Sequence, residues 1–65
     1  MNKIREYRKQ RKWTQEELAK RLGVERSAVA KWESGKSRPQ AAHLIALAEV
    51  FGCSVDDVLG RGKLP

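Results

Sequence analysis

The sequence predicts an all-α fold, a compact five-helix domain, on three observations. No stretch alternates apolar and polar residues for long enough to make a convincing strand. Gly23, Gly35, Pro39, Gly52 and Gly60 cut the chain into five short pieces. The second piece carries a helix start and a helix stop at the right spacing: Thr14 with Glu17 three residues on, then Gly23. With 65 residues, one domain over 1–65 is expected. A chain of this size buries only about 60% of the surface its unfolded form exposes, so its stability is marginal and a deep catalytic cleft has little room.

The first piece, about Asn2 to Arg11, puts Ile4, Tyr7, Arg8 and Arg11 on one helical face, and Asn2 can cap it. In the second, Thr14 and Glu17 make a capping box, and Trp13 before the cap can pack on Leu18 as a hydrophobic staple. Leu18, Ala19 and Leu22 then face inward. Gly23 ends the helix because glycine tolerates the left-handed conformation such an end requires. The third piece runs from about Glu25 to Ser34 and stops at Gly35. The fourth starts after Pro39 and carries Leu44, Leu47, Ala48 and Phe51 inward. Ser54 caps the fifth, Asp56 and Asp57 suit its positive N-terminal end, and Val55, Val58 and Leu59 face the core. The closing RGKLP reads as frayed.

The formal net charge is +6, from 14 Lys and Arg against 8 Asp and Glu. That excess points to polyanions, nucleic acid before an anionic membrane surface. Cys53 is the only cysteine, which excludes an intrachain disulfide and a cysteine zinc cluster and fits a reducing cytoplasm. No apolar run approaches the roughly 20 residues of a membrane span. The start, MNKIREYRKQRK, lacks the apolar core of a signal peptide, so the protein is expected to stay in the cell that made it.

The third piece raises the functional question. As a helix, VERSAVAKWESGK keeps Val29 and Trp32 on one side, while Ser27, Ala30, Lys31 and Ser34 lie opposite with Arg26 on the flank. Gln15 to Ser34 reads as a unit: two short helices joined at Gly23, with small Ala19 allowing close approach and Leu18, Leu22, Val24, Val29 and Trp32 setting the crossing. This is a helix-turn-helix pattern, whose second helix can enter a DNA major groove. A helix that touches base edges cannot cover its outer side with core.

The stretch TQEELAKRLGVERSAVAKWESGKSRP resembles the helix-turn-helix of the lambda-repressor and Cro-like family, also called the XRE family. The stretch LAEVFGCSVDDVL resembles the last two helices of that five-helix domain. The resemblance covers about Ile4 to Leu59. It implies a bacterial or phage-encoded, nucleoid-associated regulator of transcription, a repressor above all. Such a protein binds inverted repeats in double-stranded DNA as a homodimer, and a protein antirepressor is a further partner of the kind the family has. The dimer surface is expected on the fourth and fifth helices, around Phe51 to Leu64, with Leu64 and part of Val58 free for it.

By position, Gln15 matches a family residue that contacts a phosphate and braces the reading side chains. Arg26, Ser27 and Lys31 match positions that reach base edges, and Ala30 between them could touch a thymine methyl. Arg26 or Lys31 would read guanine O6 and N7. Ser34, Lys36, Ser37 and Arg38 match the loop that follows the DNA backbone, and Arg11 or Lys12 supplies phosphate contacts near the first turn. Glu33 lies on the inner flank, and the resemblance pairs it with Arg8. Glu25 and Gln40 stand where the family favours better caps.

The remaining chemistry is sparse. His43, the lone histidine, has no cysteine or acid at ligand spacing, so neither a metal nor another cofactor is expected. Cys53 reads as a small hydrophobe, and Trp13 and Trp32 as core and staple. No serine has the histidine and acid of a nucleophile, which argues against an enzyme. An antitoxin-like or antirepressor-binding module would share the DNA-facing surface but often adds a partner-binding segment outside the five helices. A basic amphipathic membrane-surface protein is disfavoured because the breakers prevent any long amphipathic helix.

Overall fold

A computed structural model describes residues 2–61, and over them the chain forms α1 (Ile4–Gln10), α2 (Gln15–Leu22), α3 (Arg26–Ser34), α4 (Ala41–Phe51) and α5 (Val55–Leu59). Glycine 62 onward, including Leu64, lies outside the described residues. No strand occurs among those described. α2 packs chiefly on α3 and α4 on α5, while α1 touches α3, α4 and α5.

One core joins all five helices. Ile4, Leu18, Ala19, Val29, Trp32, Leu47, Ala48, Phe51 and Val58 are buried together. Tyr7, Trp13, Leu22, Leu44, Cys53 and Val55 pack half-buried around them. The helix starts follow the local sequence. Thr14 accepts from the Glu17 N–H at 3.0 Å and the Glu17 carboxylate accepts from the Thr14 N–H at 2.7 Å. Ser54 and Asp57 repeat this box on α5. Asn2 caps α1 from one residue further out than the helix boundary suggests: its Oδ1 accepts from the Ile4 N–H at 3.1 Å. Glu25 and Gln40 stand at the N-caps of α3 and α4 without a side-chain cap bond.

Three expectations change. Phe51 and Val58 are sealed in the core, Val58 completely, so neither can supply a dimer surface. The large apolar side chain that α4 leaves in solvent is Ile45, 54% exposed. Trp13 does more than staple α2. It stacks on Phe51 with centroids 6.2 Å apart, and the Arg21 guanidinium lies 4.1 Å over its ring. Arg11, although exposed, also contacts the fold: its guanidinium donates to the Phe51 carbonyl at the end of α4 and rests over the Phe51 ring at 5.5 Å.

Candidate nucleic-acid interface

The outer face of α3 is bare of large apolar side chains because the inner face uses both of them. Val29 is fully buried and Trp32 nearly so, with His43 of α4 tilted against the Trp32 ring at 5.2 Å. Arg26, Ser27, Lys31 and Ser34 are exposed opposite them, and Ala30 is half-buried between. Two cations, two hydroxyls and a methyl therefore share one surface, which is a donor-rich edge for reading bases.

A polar network holds this helix from behind. Arg8 of α1 grips Glu33 with two bonds, Nε to Oε2 at 2.6 Å and Nη2 to Oε1 at 3.0 Å. A third arm of the same guanidinium donates to the Trp13 carbonyl at 2.8 Å. The two side chains are 10% and 5% exposed, so this is a buried ion pair. Gln15, the first residue of α2, donates from Nε2 to Glu33 Oε1 at 3.1 Å and accepts from Arg26 Nη1 at 3.2 Å. Burial alone would raise the Glu33 carboxyl. The hydrogen bonds from Arg8 and Gln15 and the nearby Arg8 and Arg5 charges outweigh it and hold the group below the usual carboxylate range. The bond to Glu33 raises Arg8 in turn, against the opposing effect of burial.

The end of α3 passes into the loop through one carbonyl. Lys31 O accepts from the Lys36 N–H at 3.0 Å, the Ser37 N–H at 3.4 Å and the Ser34 hydroxyl at 3.2 Å. Gly35 makes this closure in the left-handed region, with φ 84°. Lys36, Ser37 and Arg38 follow, all exposed. Among the described residues, the Lys31 and Lys36 side chains have no hydrogen-bond or ion-pair partner.

The sequence-predicted residues thus fall into three groups. Arg26, Ser27, Ala30, Lys31 and Ser34 share the outer face of α3, with Gln15 joined to it through Arg26. Lys36, Ser37 and Arg38 form the adjoining loop. Arg11 stands apart: exposed as a residue, it donates to the Phe51 carbonyl and lies over the Trp13 and Phe51 rings. Lys12 beside it is exposed. One cation went unnoticed. Arg5 lines a shallow hollow with Arg8, Gln15, Ala30, Glu33 and Ser34, at the margin of the α3 face. Its signal was its place three residues before Arg8, on the same side of α1.

A helix-turn-helix family model matches residues 4–58. The chain belongs to this family, in its lambda-repressor and Cro-like branch. Among curated relatives, the HTH-type transcriptional activator BcrR of Enterococcus faecalis is 37% identical over 62 residues, 95% of this chain but 30% of BcrR. Repressor protein C2 of Salmonella phage P22 is 37% identical over 62 residues, 28% of that protein. An uncharacterised HTH-type regulator of Methanocaldococcus jannaschii is 39% identical over 57 residues and is covered to 86%. The chain thus spans about a third of the first of these relatives and most of the archaeal one. The P22 c2 repressor in complex with a synthetic operator superposes with a TM-score of 0.85 at 36% identity, over 91% of this chain and 89% of that one. A transcriptional regulator from Listeria innocua gives 0.81 at 26% identity, over all of this chain and 64% of its own.

This helix-turn-helix has the fold of the P22 c2 repressor that is seen in complex with an operator, and the chain's curated relatives are HTH-type transcriptional regulators. Among the described residues no three His, Cys, Asp or Glu side chains are placed to hold a metal ion. No helix there is long and apolar enough to cross a membrane.

Proposed function

We propose that the chain binds double-stranded DNA sequence-specifically, with α3 in the major groove, and regulates transcription as a repressor. The observation that carries this reading is the α3 outer face: exposed Arg26, Ser27 and Lys31 on a helix backed by a buried ion pair. Arg26 and Lys31 read base edges, and the Ala30 methyl adds an apolar contact. Lys12, Ser34, Lys36, Ser37 and Arg38 take phosphates and set the register. The P22 c2 repressor, bound to a synthetic operator in its structure, supports DNA as the partner.

One recognition helix spans only a few base pairs, so two chains act together. A two-fold dimer places its α3 helices in successive major grooves, about 34–36 Å apart. With Phe51 and Val58 sealed, the surface left for the pairing is the exposed side of α4 and α5, with Ile45 its largest apolar side chain.

Selection of bound sites from random duplexes, followed by footprinting, tests both parts. The expected result is an inverted repeat whose two protected halves lie one helical turn apart on the same face. Binding should weaken steeply with salt, with a slope of about −0.9 for each phosphate neutralised. Affinity that stays flat as salt rises would remove the DNA reading. One chain per duplex at saturation would remove the dimer.

A further inference from the structure

Gln15 sits between a group that only accepts and a group that only donates. Its Nε2 donates to Glu33 Oε1 at 3.1 Å, and its Oε1 accepts from Arg26 Nη1 at 3.2 Å. An ionised carboxylate has no proton to give and a guanidinium no lone pair to offer. Turning the amide over would set two acceptors face to face at one end and two donors at the other. The orientation is therefore dictated by its partners. Glu33 in turn cannot move, because Arg8 holds both of its oxygens and is itself anchored on the Trp13 carbonyl.

We propose that Glu33, although it does not lie on the outer face of α3, is a specificity-determining positioning residue: through the Gln15 amide it sets the pose in which Arg26 reads its base. The inference rests on the reading of α3 as the base-reading helix. One of the five N–H donors of Arg26 binds Gln15. The rest of the guanidinium stays free for a two-bond contact with guanine O6 and N7. The second Nε2 hydrogen of Gln15 remains for a phosphate, so one amide serves both backbone and base reading without changing orientation.

The distances say what a neutral isostere would do. In Glu33→Gln, the amide oxygen should keep the Oε2 place, where the Arg8 bond is tightest at 2.6 Å. The new NH2 then falls at the Oε1 place, where it gives up the bond from Arg8 Nη2 and faces Gln15. Gln15 turns over to accept from it and presents its own NH2 to Arg26. Two donors now oppose each other, and Arg26 leaves its pose.

The test uses the duplex that the wild-type chain selects from a random library, and the same duplex changed at the base pair where Arg26→Ala relaxes preference. The ratio of the two affinities is measured for wild type, Glu33→Gln, Gln15→Met and the double variant. Each is measured below its own melting temperature, followed by circular dichroism. A two-bond arginine contact is worth a discrimination of roughly 5- to 150-fold, and Glu33→Gln should lose about tenfold of it. Gln15→Met, which leaves the ion pair intact, should lose the same, and the double variant no more than either. Gln15→Met also gives up the phosphate bond, so it should weaken selected and random duplex by a common factor besides the change in ratio, whereas a merely structural defect would weaken both together and leave the ratio at the wild-type value. A Gln15→Met ratio equal to wild type would overturn the proposal even if Glu33→Gln did not fold. So would independent losses that multiply in the double variant. A wild-type chain that selects no preferred duplex overturns the proposed function itself, a result distinct from a chain that reads DNA and ignores Glu33.

Discussion

The chain makes the same turn twice. α2 ends at Gly23 with φ 73°, and α4 ends at Gly52 with φ 69°. In both, the next residue donates its N–H back to an alanine carbonyl, Val24 to Ala19 at 3.0 Å and Cys53 to Ala48 at 2.9 Å. In both, an extended N-cap residue then starts the following helix. The two copies diverge after that. Ser54 and Asp57 close a capping box, and α5 presents exposed Asp56. Glu25 makes no cap bond, and α3 presents Arg26, Ser27 and Lys31. One backbone device therefore serves two duties, and charge separates them: only the first turn offers a face that a polyanion can approach. The first turn also forgoes local capping and is braced instead across the molecule, by Arg8, Glu33 and Gln15.

Breaking that brace should have the largest effect. Arg8→Ala leaves Glu33 unpaired at a site 5% exposed, and removing one partner of a buried pair costs about 3–5 kcal/mol. For a domain of this size each kcal/mol is worth roughly 4–8 °C in melting temperature, so Arg8→Ala should be largely unfolded near body temperature. A melting temperature close to wild type would show the pair to be superficial. Acid acts on the same contact. The folded-state Glu33 carboxyl is held below its unfolded value, so its contribution is fully present above the ordinary carboxylate range, near pH 4.3. It is lost as pH falls further, through the folded value. Wild-type stability should decline over that acid window, and Arg8→Ala should show a smaller decline. Parallel acid limbs for the two would assign the loss to other carboxyls.

The outer face should divide into reading and anchoring. Lys31→Ala should cost about 1–3 kcal/mol on the selected duplex and relax preference at one base pair. Lys36→Ala, in the loop after α3, should weaken every duplex alike and reduce the salt slope by about 1. The measurement is affinity for selected and random duplexes at several salt concentrations. Equal losses on both for Lys31→Ala would move Lys31 to the phosphate group of residues.

The contrast between the turns also marks what the sequence made legible. Both glycines, the capping box at Thr14 and the apolar spacing were readable, because each is a local rule with a fixed offset. Arg8 and Glu33 were paired through resemblance, since two residues 25 positions apart have no local signal. The end of α1 was hidden for a related reason. Lys12 takes the left-handed conformation there at φ 61°, where the ends of the other four helices use glycine. The contacts of Arg11 within the fold were not legible because a carbonyl at the end of α4 recruits it, and no pattern in the first helix announces that carbonyl. Ile45 was missed because an exposed isoleucine in an apolar helix looks like core until packing chooses a side.

The smallest effects should come from the two caps themselves. Ser54→Ala removes a side-chain acceptor from the Asp57 N–H and should cost about 1 kcal/mol. Glu25→Ser is the reverse experiment, and its gain should be less than that loss. A serine could accept from the N–H groups that open α3, but the substitution also removes a negative charge from the positive end of the helix, worth about 0.3–1 kcal/mol. The two terms oppose each other, so thermal denaturation should place Glu25→Ser within a few tenths of a kcal/mol of wild type. On DNA the sign is clearer. Glu25 is an exposed acid at the start of the proposed base-reading helix, and losing it should raise affinity for random duplex, most at low salt, where screening is weakest. A stability gain as large as the Ser54→Ala loss, with no change on DNA, would mean that Glu25 supplies neither term, and that the first turn differs from the second only by the side chains further along α3.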